Sequence, residues 1–188
     1  MNFRLTPLAG VILVEPDVHR DARGFFLETY HAGKYKEGGI DAVFVQDNHS
    51  RSSQHTLRGL HAQWRRPQGK LVRTLQGEIF DVAVDVRTGS PTFGKWFVAR
   101  LTSENHHQLW VPTGFIHGFC VLSETAEVEY KCTDPYDPGG ELGVLWNDPA
   151  IGIEWPVAQP ILSPKDAAAP RLAEVRDKLA AFRTGPAE

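Results

Sequence analysis

The sequence predicts an all-β fold of the jelly-roll class, and three observations carry that expectation. Thirteen Pro and seventeen Gly punctuate short segments of alternating polarity, the pattern of strands and turns expected of a sandwich or barrel. About eight to ten such segments can be counted, the number a jelly roll needs. Helical periodicity appears only near the C-terminus. With 188 residues, 41% of them hydrophobic, the chain can bury one good core and is short for two, so residues 1–188 are expected to form a single domain.

The expected strands in order are VILVEP, GFFLETY, FVQDNHS, KLVRTL, GEIFDVAVDV, GKWFVARLT, HQLWVP, HGFCVL and AEVEYKC, joined by turn-rich stretches such as GSPTFG, SEN, PTG and SET. In GEIFDVAVDV, Phe80, Val82, Val84 and Val86 share one face and Asp81, Ala83 and Asp85 the other. Gly77 marks the turn before it. In AEVEYKCT, alternation groups Tyr130 with Val128 and Cys132, pointing inward, and leaves Glu127, Glu129 and Lys131 on a polar face. EYKCTDPYDPGGELG reads as a long surface loop, of the kind that borders sites. Near the C-terminus, RLAEVRDKLAAFR spaces Leu172, Val175, Leu179 and Phe182 for a short amphipathic helix packed on the barrel or on a partner subunit.

Several function classes are disfavoured. Net charge is −3, with twenty Lys and Arg spread among twenty-three acids, so no basic tail or helix points to nucleic acid. No window approaches the ~18 apolar residues of a membrane span, and the first residues lack a charged leader followed by an apolar run. A cytoplasmic, membrane-free protein is expected. Cys120 and Cys132 lack CxxC spacing and a clustered His pair, which suggests two ordinary thiols, neither a disulfide framework nor a zinc knuckle.

The densest cluster of chemistry is LRGLHAQWRRPQGK, residues 57–70, where charge abuts the core strand that follows. Together with PTGFIHGF it resembles the two sequence boxes of the cupins, in which His-x-His, a Glu and a later His hold a metal. His61 and His117 fill two of those places; Gln63 stands for the second His and Lys70 for the Glu. An ammonium has no lone pair and would repel a divalent ion, so a cupin-like barrel without metal is expected.

FLETY, FVQDNHS, LRGLH, PQGKLVR, GEIFDVAVD, GSPTFGKW, QLWVPTGFIHGF, EVEYKCTD and LSPKD occur in that order. Together they resemble the dTDP-4-dehydrorhamnose 3,5-epimerase family, from about residue 3 to about residue 175. The resemblance implies a cupin-like jelly-roll barrel with short C-terminal helices, no cofactor, a dTDP-sugar substrate and a homodimer with swapped edges. It implies inversion of C3 and C5 of dTDP-4-dehydro-6-deoxy-D-glucose, in dTDP-L-rhamnose biosynthesis. Both carbons flank the C4 ketone, so each inversion needs a base, a cation or donor at the enolate oxygen, and an acid on the opposite face.

His61 matches the family's base; an imidazole, with an ordinary pKa of about 6.5, offers a neutral fraction near pH 7. Asp166 matches the carboxylate that fixes its tautomer, although Ser163, Pro164 and Asp166 also read as the first turn of a helix, where the acid could merely cap. Lys70 opens a strand and can hold a fixed positive charge toward the interior. Tyr130 matches the reprotonating acid, against the alternative of a core aromatic. With no GxxxxGK or GxGxxG loop to wrap a diphosphate, Arg23 and Arg58 match the family's nucleotide and phosphate contacts. Glu28, Gln46, Asn48, His117, Glu141 and Lys165 match its further substrate contacts. Tyr136 resembles an aromatic that stacks near the thymine and sugar, or else a loop-tip aromatic at a subunit contact. Ala62 departs from the Tyr or Phe common after the base, and is expected to alter packing behind it. An epimerase of C3 or C5 only, a sugar ketoisomerase on the same fold, a metal cupin oxygenase and a non-catalytic dTDP-sugar-binding jelly roll stand as alternatives.

Overall fold

The computed structural model of the protein describes residues 1–182. Thirteen strands and a few short helices are present among them. They are β1 (Asn2–Leu5), β2 (Ile12–Glu15), β3 (Val18–Asp21), β4 (Gly24–Leu27), β5 (Gln46–Ser53), β6 (Leu57–Gln63), β7 (Lys70–Gln76), β8 (Glu78–Asp85), β9 (Trp96–Thr102), β10 (Gln108–Val111), β11 (Phe115–Val121), β12 (Thr125–Cys132) and β13 (Glu141–Gly143). The α-helices are α1 (Ala32–Glu37), α2 (Pro164–Ala167) and α3 (Arg176–Leu179).

Two antiparallel sheets face each other in jelly-roll fashion. One has the order β1-β2-β10-β7-β12-β5, the other β13-β6-β11-β8-β9, while β3 and β4 form a separate hairpin. Val72, Leu109 and Val128 from the first sheet meet Ile79, Leu101 and Phe119 from the second in a closed apolar core. The outer faces are covered as well. Tyr35 and Ile40 pack on Ile12, Val14 and Trp110, while Leu172, Val175, Leu179 and Phe182 pack on Val82, Val84 and Ile116.

The alternation expected of GEIFDVAVDV holds, and the double cover buries both of its faces. Val82 and Val84 face outward under the C-terminal segment, whereas Ile79 and Ala83 belong to the core between the sheets. The face that carries Asp81 and Asp85 is therefore the inner one, and both carboxylates are fully buried. Arg87, Ser90 and Thr92 all donate to Asp85. Inward placement of Val128 and Tyr130 agrees with expectation.

The C-terminal apolar positions pack on the barrel, but the segment is a 3₁₀ turn at Leu172–Val175 followed by α3, not one continuous helix; its Arg183 lies outside the described residues. The expected long loop after Tyr130 is shorter than the sequence implied, because β12 runs to Cys132 and Glu141–Gly143 forms β13 against β6. Gly77 does turn the chain, at φ +78°, where a Cβ would lie 2.1 Å from the Thr125 carbonyl oxygen. Among the described residues no helix is long and apolar enough to cross a membrane.

Candidate active site

The candidate site is a cleft with two adjoining lobes of about 420 and 310 Å³, and His61, Lys70 and Tyr130 line both. These three come from β6, β7 and β12. Since β7 pairs with β12, with Cys132 opposite Lys70, Lys70 and Tyr130 are anchored on one rigid ladder. The Lys70 ammonium lies 5.9 Å from the centre of the Tyr130 ring. His61 projects from the opposing sheet, where β6 passes beside β11.

His61 Nε2 lies 2.6 Å from Asp166 Oδ1. Asp166 sits in the first turn of α2, and Ser163 Oγ, as N-cap, accepts the Asp166 N–H at 3.1 Å. The cap is thus the serine, and the carboxylate is turned to the imidazole. Burial pulls the Asp166 pKa up, but the hydrogen bond and charge of His61, with bonds from the Gly59 N–H and Ser163, outweigh it and leave the pKa lowered. With Nε2–H donated to Asp166, Nδ1 keeps the free lone pair.

Burial drives the Lys70 pKa down, against the opposing pull of Cys132, Asp81 and Glu141. Burial drives the Tyr130 pKa up, with Arg58 pulling the other way. A cation held out of bulk water interacts strongly with a developing oxyanion, and a phenol with a raised pKa stays protonated as a donor.

Arg58 lines the larger lobe, and its Nε donates to Ser52 Oγ at 3.0 Å. Gln46 and Asn48 on β5 line the smaller lobe together with Tyr136 and Glu141. The Tyr136 hydroxyl donates to Glu141 at 2.9 Å, and Lys165 is ion-paired with the same carboxylate. Arg65 and Arg66, between β6 and β7, are exposed. Ala62 is buried and in contact with the apolar cluster under the C-terminal segment.

Two expected contacts are not brought to the cleft within one chain. Arg23 is on the β3–β4 hairpin, exposed and ion-paired with Asp21 at 2.5 Å, and Glu28 is paired with Lys34 at 2.8 Å. The hairpin is its own two-stranded ribbon, held against the barrel where Phe25 packs on His106.

The model of the dTDP-4-dehydrorhamnose 3,5-epimerase family matches residues 5–174. The chain belongs to that family. A dTDP-4-dehydrorhamnose 3,5-epimerase of Salmonella typhimurium is 55% identical, with 89% of this chain and 93% of the relative covered. One from Neisseria gonorrhoeae is 58% identical over 89% of this chain, which spans only 52% of that relative's length. The crystal structure of dTDP-6-deoxy-D-glucose-3,5-epimerase from Legionella pneumophila, in complex with dTDP-4-keto-L-rhamnose, is 48% identical, with a TM-score of 0.93 and 99% of each chain covered. A 3'-monoepimerase from Streptomyces bikiniensis in complex with dTDP-quinovose is 33% identical, with a TM-score of 0.86, over 96% of this chain and 93% of that one.

In this member of the epimerase family, sequence reasoning missed Asp81. His117, opposite His61 across the β6–β11 ladder, has Nε2 2.8 Å from Asp81 Oδ1, so the cleft carries two His–Asp pairs. The signal was an acid in the middle of β8, on the face it shares with Ile79 and Ala83. Lys70 and Gln63 occupy the places where cupins keep metal ligands, and among the described residues no group of three or more His, Cys, Asp or Glu is arranged to hold an ion.

Proposed function

We propose that the protein inverts C3 and C5 of dTDP-4-dehydro-6-deoxy-D-glucose, giving dTDP-4-dehydro-6-deoxy-L-mannose for dTDP-L-rhamnose biosynthesis, without a cofactor. The observation that carries this reading is the convergence of the His61–Asp166 pair, Lys70 and Tyr130 on one cleft. His61 Nδ1 takes the proton from the carbon beside the ketone, and Asp166 holds the resulting imidazolium. The electron pair moves onto the C4 oxygen, where Lys70 balances the charge. Tyr130 returns a proton to the other face, and solvent then resets both groups. Arg58 takes a diphosphate oxygen through the guanidinium nitrogens that Ser52 leaves free.

Incubation in deuterium oxide tests this directly. The product should carry deuterium at both C3 and C5; label at one position only would identify an epimerase of a single centre, and binding without label a non-catalytic module.

A homodimer accounts for the hairpin. Phe25 and Phe26 are 55% and 72% exposed beside Arg23, and a second copy covering them would place Arg23 and Glu28 where a substrate could meet them. Sedimentation should give a dimer at micromolar concentration; a monomer would remove this part of the proposal. A cytoplasmic location agrees with the two unpaired, buried cysteines.

A further inference from the structure

Gln63 ends β6 two residues beyond His61, on the same face of the strand, and is only 4% exposed. Both ends of its carboxamide are used. Nε2 donates to the Pro135 carbonyl at 3.2 Å, and Oε1 accepts the Asp137 N–H at 2.6 Å. These two backbone groups flank Tyr136, whose own N–H goes to Gln46 Oε1 at 2.9 Å. Tyr136 belongs to none of the three apolar clusters and is 53% exposed. Packing therefore does little to fix its place; its hydroxyl bond to Glu141 and the polar bonds to the backbone around it hold it.

We propose that Gln63 is a positioning residue for Tyr136: it clamps the chain on both sides of the aromatic and so sets that wall of the substrate cleft. A carboxamide suits this task. One side chain has to donate to a carbonyl and accept from an N–H two residues further on, and an ionised carboxylate of the same length has no donor for the carbonyl. Because the group is buried, an unmatched end leaves a backbone partner without compensation. The position that a metal cupin gives to its second histidine thus serves here to hold a loop.

A double-mutant cycle reads this, and it rests on the proposed reaction only for its substrate. KM and kcat are measured for the wild type, Gln63→Glu, Tyr136→Ala and the double variant. Gln63→Glu should raise KM about tenfold, as loss of one buried hydrogen bond would, with kcat changed less than about threefold. On the Tyr136→Ala background it should add no further rise. An unchanged KM, or effects that multiply, would overturn the assignment. If wild type gives no turnover, the proposed reaction fails, and calorimetric titration of the same four proteins with dTDP decides the inference by the same pattern. Should Gln63→Glu not fold, Gln63→Met, of similar length and without charge, runs the same cycle.

Discussion

His61 and His117 are direct cross-strand neighbours, and each imidazole is bonded to a different carboxylate, Asp166 at 2.6 Å and Asp81 at 2.8 Å. The two pairs are not equivalent. His61 borders both lobes of the cleft, whereas His117 is only 6% exposed and its Asp81 is fully buried. The proposed mechanism uses the outer pair for proton transfer; the inner pair is enclosed beneath it.

Asp166→Asn should lower kcat by about 10² or more, because an amide in place of the carboxylate neither fixes the Nδ1-free tautomer nor balances the imidazolium. Substrate affinity should change little. Steady-state kinetics check both, and a kcat within twofold of wild type would show that the 2.6 Å contact is only structural.

Tyr130→Phe removes the donor but keeps the ring beneath Lys70. Exchange of substrate hydrogen with solvent should persist while formation of inverted product falls by about 10², measured by following deuterium content and ring configuration in one NMR experiment. Equal loss of exchange and inversion would argue that Tyr130 acts in proton abstraction as well.

The alkaline limb of the pH profile should reflect Lys70. In the proposed mechanism its charged form supports the oxyanion, and its pKa is lowered by burial, so kcat/KM should fall with rising pH before an ordinary lysine would deprotonate. Tyr130, with its pKa raised, stays protonated through that range. A profile flat up to the ordinary lysine pKa would contradict this.

Asp85 is a stability element, not a catalytic one. Its burial pulls the pKa up, but bonds from Arg87, Ser90 and Thr92 prevail and hold it lowered. Such a group contributes stability that is fully present above the ordinary aspartate range and is lost as pH falls through its lowered pKa. Asp85→Ala strands Arg87 and should cost about 3 kcal/mol or more, seen as a lower Tm at neutral pH and a smaller difference from wild type in acid.

Much of this was legible in the sequence where local pattern and tertiary setting agree. Alternation in AEVEYKC pointed Tyr130 inward, and the resemblance of LRGLH and PQGKLVR to the family's motifs singled out His61 and Lys70, which line the same cleft. β1 was missed because NFRL is only four residues long and its one alternating apolar pair, Phe3 and Leu5, is too short a pattern to stand out, with Leu5 85% exposed. Asp81 was missed because a strand covered on both faces has no solvent side to mark which residues point inward. The separation of Arg23 and Glu28 from the cleft could not be read from motifs, since order along the chain does not say which sheet a hairpin joins.

The most direct measurement is proton NMR of dTDP-4-dehydro-6-deoxy-D-glucose with the protein in deuterium oxide, following H3 and H5 separately, beside His61→Asn. Wild type should lose both signals, and the variant should exchange about 10² to 10⁴ times more slowly while remaining folded. Retention of both signals with wild type, or exchange in His61→Asn within twofold of it, would contradict the account.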